Sequence, residues 1–102
     1  VALTKEENAT SVRLMNMQLE NLSEEDAEKF NIPYGLKVTD NDNRQLFNEL
    51  GITPGYILVE VNGKKVPSAQ ALQNFINTNG EDQIKILAFL NPKGQYERFI
   101  FR

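Results

Sequence analysis

The run Asp40-Asn41-Asp42-Asn43 gathers four oxygen-bearing side chains, the donor type that holds hard cations such as calcium. Counted from Asp40, a loop of the helix–loop–helix calcium type needs Gly at the sixth position and Glu at the twelfth; this chain has Gln45 and Gly51 there. Ser23 and Ser68 are hydroxyls that a neighbouring base could turn into nucleophiles. The chain contains no His and no Cys, so a Ser-His-Asp or Cys-His arrangement is impossible and zinc loses both of its usual soft ligands. The carboxylates fall on polar helix faces and in turns. No catalytic residue, no metal ligand and no cofactor is therefore expected, and the chemistry left open is recognition through backbone and apolar side chains.

The chain has 102 residues, the size of one ordinary domain, and at this length about two thirds of the unfolded surface can be buried around a single core. Formal net charge is −3, and the longest basic run is Lys64-Lys65, which argues against a nucleic-acid interface. No apolar segment approaches the ~20 residues that a membrane span requires. No signal-peptide pattern opens the sequence, so any export signal is expected upstream or already removed.

Positions 1–10 (VALTKEENAT) are polar and aperiodic and read as a flexible linker or tail, with one domain over 11–102. Val12 and Leu14 are apolar at even positions, whereas Met15, Met17 and Leu19 are apolar at odd ones. A strand cannot change phase without a bend, because a one-residue slip sends every side chain to the other face. A turn is placed there, followed by a strand over Met17–Asn21. Ser23 followed by three acids starts a short helix, Ser23–Asn31, which Pro33 stops. Leu36 and Val38 alternate with polar residues as a half-buried strand. Asn43 caps a second helix carrying Leu46, Phe47 and Leu50, ended by Gly51 in the left-handed conformation. After the Pro54-Gly55 turn, Tyr56–Val61 is a strand with Ile57, Val59 and Val61 on one face. Asn62-Gly63 is a tight turn. Ser68 caps a third helix, Ala69–Thr78, with Leu72, Phe75 and Ile76 on its apolar side. Strands over Ile84–Leu90 and Tyr96–Phe101 follow, joined by Asn91-Pro92-Lys93-Gly94.

Strand, short helix, Pro-Gly turn, strand and Asn-Gly turn all lie within Gly35–Gly63 (GLKVTDNDNRQLFNELGITPGYILVEVNG). This order resembles a bacterial PDZ domain, in the permuted arrangement whose last strand fills the place of the animal domain's first. Gly35-Leu36-Lys37-Val38 resembles the family's Gly-apolar-x-Val strand. Leu50–Leu58 resembles its Gly-Leu-x-x-Gly-Asp-x-Ile turn, and Val59-Glu60-Val61-Asn62-Gly63 its Val-Asn-Gly hallmark. The helix inserted after the first strand, and the hairpin at Asn91–Gly94, resemble C-terminal PDZ domains of HtrA-type envelope serine proteases, particularly those of Bacteroidetes. Two positions depart from the pattern. Tyr56 stands where the family has Asp. Asn16 stands where the carboxylate-binding loop, here Leu14-Met15-Asn16-Met17, has Gly, although Asn is the next most willing residue to take a positive φ.

The resemblance implies an α+β fold: a partly open, mostly antiparallel barrel of five or six strands flanked by two or three helices. It implies peptide recognition by strand addition to an exposed sheet edge, with amides of Met15, Asn16 and Met17 holding a terminal carboxylate as an anion nest. Leu14 opens that loop, and Arg13, just before it, adds charge attraction. Met17 and Leu19 line one side of an apolar pocket; Ala69, Leu72, Gln73 and Ile76 line the other. Partners would be peptide or protein C-termini, or neighbouring domains of the parent protease, in the periplasm or cell envelope. Catalysis, and most oligomerisation, would belong to an upstream protease domain. Other readings stay open. Met15, Met17 and Leu19 could be core residues, Arg13 a solvated charge, and the whole a structural or assembly module whose groove its own parent protein occupies. A third is a PDZ domain of another envelope protease.

Overall fold

The computed structural model describes residues 10–101. Those residues form seven strands, three α-helices and one 3-10 turn. In chain order they are β1 (Ser11–Leu14), β2 (Met17–Asn21), α1 (Glu24–Phe30), β3 (Leu36–Asn41), α2 (Arg44–Asn48), β4 (Ile57–Val61), β5 (Lys64–Lys65), α3 (Ala69–Asn79), the 3-10 turn Glu81–Gln83, β6 (Ile86–Leu90) and β7 (Tyr96–Ile100). The strands make one open antiparallel sheet in the order β1-β2-β3-β4-β6-β7, with β5 folded back on β4. The chain is thus a small α+β domain. In place of the expected partly open barrel of five or six strands there is one open sheet of seven; β1 and β5 are the strands not individually placed from the sequence, because each is held only by a short pairing to a neighbour, β2 or β4. The tail expected over 1–10 lies outside the described residues except for Thr10, whose carbonyl accepts from the Asn21 amide at 2.8 Å.

Each helix begins where a short polar side chain can accept from an otherwise orphaned amide. Ser23 accepts from the Asp26 amide, Asn43 from Leu46 and Ser68 from Ala71. Asn31 ends α1 in the left-handed conformation, and Gly51 (φ +74°) turns the chain after α2.

The sheet separates two apolar clusters. The larger contains Val12, Leu14, Met17, Leu19, Leu36, Val38, Leu58, Val61, Leu87 and Phe89 from the strands, with Leu46 of α2 and Ala69 and Leu72 of α3. The smaller, on the opposite face, is Ile57, Val59 and Ala88, packed against Leu22, Phe30, Ile32 and Tyr34. This arrangement corrects the expected face of β4. The register between β4 and β6 shifts between Leu58 and Glu60, so Val59 is the extra residue of a β-bulge. Ile57 and Val59 stay on the smaller cluster while Val61 crosses to the main core beside Leu58. The sixth strand also starts later than expected, at Ile86, because the Asn62 side chain takes the amides of Lys85 and Ile86 (2.8 and 3.0 Å).

Candidate functional site

The turn required by the phase change lies at Met15-Asn16, where both residues have positive φ (+51° and +67°). Two such residues make the primed turn whose twist suits a tight antiparallel hairpin. Leu14 therefore pairs directly with Met17, and the register continues through Arg13–Gln18, Val12–Leu19 and Ser11–Glu20. On its other side β2 pairs with β3, from Met17–Asn41 to Asn21–Leu36. The edge that the sequence reading leaves open on Met17–Asn21 is thus occupied by the chain's own Ser11–Leu14.

The physical reason is alternation. A hairpin with a two-residue loop sends Val12 and Leu14 to the same face as Met17 and Leu19, and all four are buried. Burying a Val or Leu side chain is worth about 1.5–3 kcal/mol. A non-glycine residue held at positive φ, as Met15 is, costs about 1–2 kcal/mol. The two burials outweigh the strained turn.

Helix α3 packs against both β1 and β2 and is tied to the hairpin at each end. At its start the Ala69 amide donates to Asn21 Oδ1 at 2.7 Å. Just beyond its end, Glu81 Oε2 accepts from the Met15 amide at 3.2 Å. The turn is also held from the α2 side. Asn43 Nδ2 donates to the Met15 carbonyl at 2.9 Å, and the Asp42 amide to the Asn16 carbonyl at 3.0 Å.

The expected site residues therefore divide. Leu14, Met17, Leu19, Ala69 and Leu72 are core residues, each with 2 % or less of its surface exposed. Met15, Gln73 and Ile76 are half-buried, Met15 and Ile76 against that core, and Gln73 donates to Asn77 at 3.0 Å. Arg13 and Asn16 are exposed. The Arg13 guanidinium lies 3.4 Å from Asp42 and within reach of the Gln18 side chain and the Asn16 carbonyl. With both partners more than half exposed, an ion pair of this kind contributes about 0–1 kcal/mol. Of these residues Leu72 also lines a cavity of about 130 Å³, shared with Val61, Lys64, Lys65, Val66, Ala71 and Phe75.

Asn21, Asn43 and Glu81 were not among the candidates, yet they position the hairpin. Asn43 carried a signal as a helix cap. Asn21 and Glu81 lie at element ends whose spatial neighbours are 48 and 66 residues away. Tyr56, in the position expected to hold an acid, is buried and sets its ring edge-on to Phe89, with centroids 6.0 Å apart. Burial chiefly, and the nearby Glu97 carboxylate in addition, push its phenol above the ordinary value of 10.0. No group of His, Cys, Asp or Glu among the described residues could hold a metal ion, and no helix there is long and apolar enough to cross a membrane. Comparison with protein-family models and with curated proteins finds no match to this chain.

Proposed function

We propose that this chain is a PDZ-like, non-catalytic protein-interaction domain of an HtrA-like serine protease of the cell envelope, and that its own β1 holds the peptide slot. The element order and the Val61-Asn62-Gly63 turn support the PDZ-like reading, as does a capped helix running beside a two-sided strand. Peptide addition in such domains needs a free strand edge next to that helix. The observation that carries the occupied-slot reading is the antiparallel seating of Ser11–Leu14 on β2, with Val12 and Leu14 buried beside α3. A domain of this kind serves assembly or regulation of its parent protease and contributes no catalytic group.

The second reading, open recognition of apolar C-termini, draws on the half-buried Met15 and Ile76 flanking the turn and α3. Titrating the unaltered chain with peptides ending in Leu, Val or Phe, and following backbone amide shifts, separates the two. An occupied slot gives no saturable shifts at Leu14–Leu19 and Ala69–Ile76 at millimolar peptide. Saturable shifts there that vanish when the peptide carboxylate is amidated establish open recognition instead.

A further inference from the structure

β1 has the chemistry of a ligand. It is extended, antiparallel to β2, and buries every second side chain while Ser11 and Arg13 remain exposed. Val12 and Leu14 supply the apolar contacts, and Arg13 lies over Asp42 at the rim. Its chain does not end in the slot; it continues through Met15 into the turn. A chain terminus seated as Leu14 is would put its carboxylate where the peptide bond to Met15 now lies, and the Met15 amide at that place is 3.2 Å from the Glu81 carboxylate. A second carboxylate brought to that place would meet Glu81 at close range, and like charges so near repel. A peptide with no terminal charge there meets no such opposition.

We propose that β1 is a built-in occupant of the slot between β2 and α3, and that on its release the slot takes an internal extended segment of apolar-basic-apolar pattern rather than a chain terminus. The inference rests on the occupied-slot reading given above and names its ligand. The polypeptide segment competes with β1 for the same main-chain edge of β2. Its two apolar side chains replace Val12 and Leu14, and its central cation replaces Arg13 beside Asp42. The resulting exchange is autoinhibitory: affinity for an outside segment is lowered by whatever stability β1 gains in its seat.

The test uses the full chain carrying Val12→Ala and Leu14→Ala, which shrinks both buried side chains of β1 and leaves β2 and α3 intact. Two probes are titrated: Thr-Ser-Val-Arg-Leu capped at both ends, and the same peptide with a free carboxylate. The capped peptide is expected to shift amides over Met17–Asn21 and Ala69–Ile76 saturably in the variant and to leave the unaltered chain unmoved. The free acid is expected to bind about threefold more weakly at low salt, converging with the capped peptide as salt rises. Should the variant be unfolded by itself, the capped peptide is expected to restore a cooperative thermal unfolding transition. The proposal is overturned if neither peptide binds or stabilises the variant, or if the free acid binds more tightly than the capped form. Saturable binding by the unaltered chain instead removes the occupied-slot reading, and this inference with it.

Discussion

The carboxylate of Glu81 and the backbone amide of Met15, 66 residues apart in sequence, meet at 3.2 Å and close the hairpin turn against the end of α3. Both groups are exposed, so the bond is a positional tie more than a source of stability. Glu81→Gln keeps an acceptor at that place and is expected to change unfolding free energy by less than about 0.5 kcal/mol. Glu81→Ala is expected to cost about 0.5–1.5 kcal/mol in a urea titration and to move the Met15 amide resonance. If Glu81→Ala leaves that resonance in place, the tie is absent.

The turn itself makes a sharper prediction. Met15 is an unbranched residue at φ +51°; a β-branched residue there is a genuine outlier. Met15→Val is expected to lower stability by about 1–2 kcal/mol. Asn16→Gly, at φ +67° on an exposed position, is expected to be neutral or slightly stabilising. Equal tolerance of both changes in denaturant unfolding would speak against a two-residue turn.

Asn62 is a second place where one side chain organises distant backbone. It sits at φ +53°, accepts from the Lys85 and Ile86 amides, and donates to the Gln83 carbonyl at 2.8 Å. Asn62→Ala removes all three bonds and the residue type that tolerates this conformation. A loss of about 2–3 kcal/mol is expected by chemical denaturation. Asn62→Asp keeps the acceptor and is expected to lose less.

Tyr56 predicts a pH dependence. Its folded pKa lies above the unfolded value near 10.0, so the native state retains the proton more tightly. Below that value both states are protonated and the full native stability is present. As pH rises from about 10 through the folded pKa, the unfolded state is deprotonated first and stability falls. Thermal midpoints between pH 9 and 11 are expected to drop less for Tyr56→Phe than for the unaltered chain. Identical slopes would show that Tyr56 does not contribute.

Much of this arrangement was legible from local signals. Ser23, Asn43 and Ser68 marked helix starts because capping is a contact within one turn of the chain. The phase change at Leu14-Met15 required a bend for purely steric reasons. What stayed hidden depended on partners far along the chain. Tyr56–Val61 is almost wholly apolar, so nothing local showed that Val59 bulges and sends Val61 to the other face. The partner of Val12 and Leu14 was missed although a signal existed. Asn16 beside alternating apolar residues on both flanks fits a tight hairpin, and that pairing closes the edge on which the expected peptide site depended. Glu81 and Asn21 had no sequence signal, because an exposed carboxylate or amide at an element end looks the same with or without a tertiary partner.

Amide hydrogen exchange along β1 tests the central claim most directly. The Asn21 amide donates to the Thr10 carbonyl, so by antiparallel alternation the amides of Val12 and Leu14 face β2 while those of Ser11 and Arg13 face the outer edge. If β1 is seated in the slot, Val12 and Leu14 are protected to a degree approaching Leu19, and Ser11 and Arg13 exchange rapidly. Exchange of all four at free-chain rates, with β2 still protected, would mean that the slot stands open and that the occupied-slot account is wrong.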